Sequence, residues 1–203
     1  MGHGENKAKA QIRVFKTGRQ ERVFKKTRKY LARKPRGWTV VVEDESVFVY
    51  DAKARSVWAV KGSKPILLTT GSHKSVSWFG ALAEDGTQLF RRYDWVDSDG
   101  FLDYLRHLTR KYPRMILFLD KATYHAKEKR VKRFFRERRK TIRLRWFPSG
   151  FPEANPMEEC WRQGKDDILG SVFHDSFKDF RAATSKYYRT RRFRLNLYNY
   201  LCH

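Results

Sequence analysis

Residues 38–50 read WTVVVEDESVFVY. The stretch is β-branched and aromatic with almost no turn former, which predicts a strand. Side chains alternate across a strand, so Asp44 shares a face with Val40, Val42 and Phe48, while Glu43 and Glu45 point the other way. A carboxylate among valines is costly to bury unless something pairs with it, and a metal ion is the strongest such partner. The competing reading ends the strand at Asp44 and leaves its carboxylate in water.

Working downstream, a gap holding Lys61-Gly62 and Lys64-Pro65 precedes two more strands, 75–83 (SVSWFGALA) and 87–94 (TQLFRRYD). Glu84-Asp85-Gly86 between them is a hairpin turn signal. Residues 98–111 read as a helix: Phe101, Leu102, Leu105 and Leu108 form one face, and Asp97 or Ser98 can cap it. Residues 115–120, MILFLD, form a short continuous apolar run, the pattern of a strand covered on both faces. A basic helix over 125–138, a strand over 141–147 (TIRLRWF) and a helix over 155–169 follow, and the remainder reads as helical and very basic. The order is three strands, helix, strand, helix, strand, helices. The expected fold class is α/β: an RNase H-like mixed β-sheet, three antiparallel strands then two parallel, flanked by helices.

Upstream, the first 36 residues hold thirteen Lys and Arg against two Glu, nearly half of the whole chain's net charge of +23. Val23, Phe24, Thr27 and Leu31 recur at helical spacing, so 20–34 is expected to be a basic helix ended by Pro35 and Gly37. The expected division is therefore a basic helix or arm over 1–36 and one folded domain over 37–203. The arm reads equally as a solvated charged segment or as one that contacts DNA. The 203 residues fit one domain, and 40% hydrophobic content suffices for a core. The charge surplus predicts a polyanionic partner, most simply nucleic acid. Two cysteines, Cys160 and Cys202, are too few for a disulfide scaffold or a cysteine zinc site. No apolar run is long enough for a membrane span, and the N-terminus has no signal-peptide pattern. A cytoplasmic, nucleoid-associated protein is expected.

Two further carboxylates join Asp44 by context. Asp120 closes the apolar strand 115–120, and ligands favour the carboxyl ends of such strands. Its competing reading is a turn or capping aspartate. His125 follows near a helix start, where a local hydrogen bond suits it better than metal ligation, since two-metal sites favour oxygen donors. Glu158 lies in Asn155-Pro156-Met157-Glu158, which in isolation is a near-ideal helix start with Glu158 as the capping-box residue. The set changes that balance. Two strand-borne aspartates and a helix-borne glutamate beside a basic surface are what phosphodiester chemistry needs: two Mg²⁺ ions roughly 3.5–4 Å apart, held by hard oxygen ligands, activate the attacking oxygen and stabilise the leaving one.

Three segments, in order, resemble the mariner-like DDE transposases of bacterial and archaeal insertion sequences. VVVEDES is similar to that family's first-aspartate strand and gives Asp44; LFLDKATYH resembles its Asp-Asn-Ala-x-x-His and gives Asp120, with His125 in the His position. FPSGFPEANPMEECW resembles its Pro-rich stretch ending in Asn-Pro-Ile-Glu-x-x-Trp and gives Glu158. Thirty-seven residues separate Asp120 from Glu158, a spacing such families use. Lesser matches are Trp58 and Gly62, and Phe79-Gly80-Ala81. The resemblance covers about residues 38–180.

The resemblance implies an RNase H-like fold and a metal-dependent reaction with two Mg²⁺ or Mn²⁺ ions. Cleavage at transposon ends frees a 3′-OH, which then attacks target DNA without a covalent enzyme intermediate. Asp44 would bridge the two ions, while Asp120 and Glu158 would each bind one. The implied partners are double-stranded DNA, both transposon ends and target, and a second copy in a homodimer. Departures from the pattern are Lys121 for the family's Asn, Ser149-Gly150-Phe151 for Pro-Tyr-Ser, and Ala154 for Leu. Thirty-six residues are too few for the helix-turn-helix pair of full-length relatives. That suggests a split element, a truncated copy or a fragment, with a separate DNA-binding subunit as one possible partner. Lys127, Arg130, Arg143 and Arg145 read equally as backbone-gripping or as solvated. The alternatives are an RNase H- or resolvase-type nuclease, a decayed transposase that only binds DNA, and a basic RNA-binding protein.

Overall fold

The computed structural model describes residues 18–53, 60–64, 66–120, 128–147 and 152–202. Five strands form one sheet: β1 (Thr39–Val49), β2 (Ser75–Ala83), β3 (Gln88–Tyr93), β4 (Met115–Leu119) and β5 (Ile142–Trp146). Their order is β3-β2-β1-β4-β5. β1 pairs antiparallel with β2 and parallel with β4; β2 and β3 are antiparallel, and β4 and β5 parallel. The helices are α1 (Gly18–Leu31), α2 (Ser98–Lys111), α3 (Lys129–Glu137), α4 (Pro156–Leu169), α5 (Phe177–Thr190) and α6 (Leu197–Leu201), with a 3₁₀ turn at Pro152–Ala154. This is the mixed sheet of three antiparallel and two parallel strands that the sequence predicts.

The alternation of side chains builds two cores. On one face Val40, Val42 and Phe48 of β1 join Ile116 and Phe118 of β4 under α1, α4, α5 and α6. On the other, Val41 joins Met115, Leu117 and Leu119 under α2 and α3. Every residue of β4 is buried, as expected for a strand with helices on both sides. The stripe predicted for α2 is buried and gains Tyr104, and the cap is Asp97, whose side chain accepts from the Gly100 N–H at 2.8 Å. The hairpin turns at Gly86, whose φ of +80° suits a residue without Cβ.

α1 lies against the first of these cores. Phe24 and Leu31 are 3% and 4% exposed, and burial of two such side chains contributes about 3–6 kcal/mol at most. Its helical bonding stops short of Pro35, because a residue preceding proline is pushed out of the α region. Of the basic helix expected over 125–138, Lys129–Glu137 is helical, with Glu128 capping it by accepting from the Val131 N–H at 2.7 Å; 125–127 lie outside the described residues.

Candidate active site

The first two acids are placed by strand register. β1 and β4 run parallel, with Val40 opposite Ile116 and Val42 opposite Phe118. Continued by two residues, that register puts Asp120 level with Asp44. The two aspartates also share parity with Val42 and Phe118, whose side chains lie in the same core. Adjacent strands are about 4.8 Å apart, so residues level with one another on β1 and on the continuation of β4 would be near neighbours. Asp44 is not at a strand end: β1 continues to Val49, and Asp44 is 8% exposed. Asp120 follows the last residue of β4 and is half-buried. Glu43 is fully buried on the opposite face, where its charge, after burial itself, helps to push the Tyr104 phenol well above its ordinary range.

The third acid sits on the N-terminal turn of α4. Asn155 caps this helix, its Oδ1 accepting from the Met157 N–H at 3.1 Å, and Pro156 takes the first helical position. The capping-box reading required Glu158 to accept from the Asn155 backbone N–H. That N–H instead donates to the Pro152 carbonyl at 2.8 Å, closing the 3₁₀ turn that leads into the helix. The Glu158 side chain is exposed.

Close packing brings α4 down onto the sheet beside Asp44. Gly80 of β2 is the antiparallel partner of Asp44. A Cβ at Gly80 would lie 2.6 Å from Trp161 Cη2 and 2.7 Å from Met157 Cε, so the absent side chain is what admits the helix. Gly164, two turns beyond Met157 on the same face of the helix, plays the same part toward α5, where a Cβ would run into Tyr188 Oη. Through this approach the Trp161 indole N–H reaches Asp44 and donates to its Oδ2 at 3.0 Å.

Asp44 is consequently a carboxylate in an unfavourable place. Burial first, and then the charges of Glu45, Glu158 and Asp120, push it up to about 8, against the Trp161 hydrogen bond that pulls it down. The other two acids are therefore within electrostatic reach of Asp44. Among the described residues, no three His, Cys, Asp or Glu side chains are drawn together tightly enough to enclose a metal ion. The donor set still fits a hard divalent cation: three carboxylates, one of them buried and repelled by the others, are what such a cation would neutralise.

The basic residues singled out by sequence behave differently from one another. Arg130 is paired with Asp99 at 2.6 Å and Glu128 at 3.1 Å, bridging the starts of α2 and α3. Arg143 and Arg145 instead stack their guanidinium groups over the Trp38 and Tyr30 rings, at 4.5 and 3.7 Å. Lys121, His125, Lys127, Trp58 and the Ser149-Gly150-Phe151 departure lie outside the described residues.

Two residues with substantial roles went unassigned by sequence reasoning. Trp161 counted only as a motif match. A buried indole N–H needs an acceptor, and Asp44 was the one acid predicted on an apolar face, so the pairing had a signal. Glu84 was read only as part of a turn. It accepts from Lys34 Nζ at 2.5 Å, from the Val40 N–H at 2.9 Å and from the Tyr198 hydroxyl, tying both ends of the described chain to the sheet. No local pattern announces that role.

The DDE superfamily endonuclease profile matches residues 39–181, a span that contains all three acids. No curated protein matches the chain in sequence. Among solved structures, the Mos1 transposase paired-end complex with left transposon end matches with a TM-score of 0.61 at 15% identity, covering 97% of this chain and 62% of that one. The Mos1 strand transfer complex gives 0.62 at 15%, covering 98% and 61%. The catalytic domain of Mos1 mariner transposase gives 0.57 at 15%, covering 94% and 89%. These likenesses are of fold, and they confirm the RNase H-like architecture; the chain spans about 62% of the length of the Mos1 chains in the larger complexes. The profile, which covers well over half of the sequence, gives the family: the chain belongs to the DDE superfamily endonucleases.

Proposed function

We propose that this chain is the catalytic domain of a mariner-like DDE transposase of the prokaryotic insertion-sequence type, cleaving DNA at transposon ends and joining the freed 3′-OH to target DNA. The observation that carries the reading is the parallel register of β1 and β4, paired up to Val42 and Phe118, which, continued by two residues, would bring Asp120 beside Asp44, with the α4-borne Glu158 in electrostatic reach. On this reading Asp44, Asp120 and Glu158 are the catalytic and metal-binding acids. Asp44, Asp120 and Glu158 would together hold the divalent ions. Two Mg²⁺ or Mn²⁺ ions bound there would supply activation of the attacking oxygen and stabilisation of the leaving one. Mos1 complexes solved with Mn or with Mg support that choice of metal.

The chain's own residues supply placement. β1 holds Asp44 within the sheet, β4 ends directly before Asp120, and α4, seated by Gly80 and Gly164, carries Glu158. The surplus of Lys and Arg supplies backbone attraction for double-stranded DNA, including transposon ends and target. Residues 1–36 serve as a basic N-terminal helix or arm, α1 of which packs on the core, and 37–203 as the catalytic unit. A homodimer, and a separate helix-turn-helix subunit for end recognition, complete the proposed assembly, working at the nucleoid. No helix among the described residues is long and apolar enough to cross a membrane.

The test is Asp120→Ala assayed with Mn²⁺ on DNA carrying the element's ends and a target plasmid. The variant is expected to lose cleavage and strand transfer while keeping salt-sensitive DNA binding. A variant that cleaves like the parent overturns the assignment of the acids, and hydrolysis without strand transfer by the parent points instead to an RNase H- or resolvase-type nuclease.

A further inference from the structure

We infer that Trp161 is a positioning residue for the acid cluster: its indole N–H holds one oxygen of Asp44, fixing the rotamer that turns the other oxygen toward a divalent cation. The inference rests on the reading of Asp44 as a metal ligand.

Trp161 is 2% exposed, and its one donor, Nε1–H, is aimed at Asp44 Oδ2 at 3.0 Å across 117 residues of sequence. The ring is held from several sides. Phe90 meets it edge-on at 5.6 Å between centroids, Tyr188 at 5.5 Å and Phe48 at 6.4 Å. The space it occupies exists because β2 has Gly80 opposite Asp44, where a Cβ would stand 2.6 Å from the ring. Trp161 also lies one helical turn beyond Glu158 on α4. One contact therefore orients the first acid and sets the height over the sheet of the helix that carries the third.

The chemistry of the donor matters. A Lys or Arg in this place would neutralise Asp44 and compete with a cation for it. An indole donates a hydrogen bond without a charge, so it orients the carboxylate and leaves its negative charge for the metal. Partners of this outer kind hold ligands in the orientation a metal requires, and their removal weakens metal affinity by roughly 10–100-fold.

The experiment measures Mn²⁺ binding directly, from the spin-resonance signal of free Mn²⁺, in the full chain. The parent, Trp161→Phe, and the chain with benzothienylalanine at position 161 are compared, with Asp44→Asn as the control. The benzothienyl analogue keeps the shape of indole and replaces its N–H by sulfur, so it decides the matter if Trp161→Phe fails to fold. Both Trp161 variants are expected to bind Mn²⁺ about 10–100-fold more weakly than the parent, with unchanged circular dichroism and unchanged salt-sensitive DNA binding. If a folded variant lacking the N–H binds Mn²⁺ as the parent does, Trp161 only fills space and the inference is overturned. If Asp44→Asn also binds like the parent, the reading of Asp44 as a ligand has failed instead, and the inference falls with it.

Discussion

Adding one methyl group at Gly80 is predicted to damage both stability and the acid site. A Cβ there would stand 2.6 Å from Phe90 Cε1, 2.6 Å from Trp161 Cη2 and 2.7 Å from Met157 Cε. Carbon atoms in ordinary contact lie about 3.5–4.0 Å apart, so each neighbour must retreat by roughly 1 Å. The end of Met157 can rotate away. The two rings cannot do so easily, because Tyr188 packs against both, stacked on Phe90 at 4.8 Å and edge-on to Trp161 at 5.5 Å. Overpacking of this kind destabilises by about 1–3 kcal/mol, which for a domain of this size lowers the melting temperature by roughly 3–10 °C. The easiest relief is a lift of α4 off β2. A lift of about 1 Å would stretch the 3.0 Å bond from Trp161 to Asp44 beyond hydrogen-bonding distance and carry Glu158 with it. Misplacement on that scale lowers reaction rates on the order of 100-fold. Thermal denaturation and Mn²⁺-dependent cleavage of Gly80→Ala read both effects. A variant that melts and cleaves like the parent would refute the claim that Gly80 seats the helix that carries Glu158.

Glu84→Gln is expected to destabilise the fold by about 1–2 kcal/mol at pH 7, because it weakens charge-assisted bonds from Lys34 and Tyr198. Burial alone would raise the Glu84 carboxyl, but those bonds and the one from the Val40 N–H hold it below the usual range. Its contribution is thus present above the unfolded carboxyl's value and is lost as pH falls through the lower folded value, so denaturant titrations of parent and variant should converge in acid. Asp44→Asn should act in the opposite sense on the metal-free protein. Burial raises Asp44 to about 8, so its ionisation opposes folding progressively from the unfolded carboxyl's range upward. The variant should be more stable by on the order of 4 kcal/mol at pH 7 and no more stable near pH 3. A difference in melting temperature that does not grow with pH would count against that environment.

The fold was legible because its strongest elements carry their environment in their pattern. MILFL at 115–119 reads as a strand covered on both faces and is wholly buried, with alternate residues in the two cores. The alternation around Asp44 gave its face, and the Phe101–Leu108 stripe gave that of α2. Other features depend on tertiary geometry that local pattern does not encode. Asn-Pro-Met-Glu is equally a capping box and a catalytic motif. Only the fold shows that the reciprocal capping-box bond is not made, because the 3₁₀ turn at Pro152–Ala154 takes the Asn155 N–H for itself. The insertion of β4 beside β1, which brings the strand leading into Asp120 next to the one that carries Asp44, is a matter of strand order rather than of either segment. Glu84 gathers donors from residues 50 and 114 positions away, and the Trp161 bond spans 117, so neither leaves a mark on its neighbours in sequence.

The central claim is that Asp44, Asp120 and Glu158 act together on DNA through divalent metal, and Glu158 tests it most directly because its local sequence has a complete structural explanation. Glu158→Gln keeps the side chain's size and leaves the Asn155 cap and the Pro152 turn untouched. Mn²⁺-dependent cleavage of transposon-end DNA by this variant is predicted to fall by at least about 100-fold, on the scale of lost metal ligation and placement, with melting temperature and DNA affinity unchanged. Cleavage at the parent's rate would contradict the account and return Glu158 to the role of a helix-start residue.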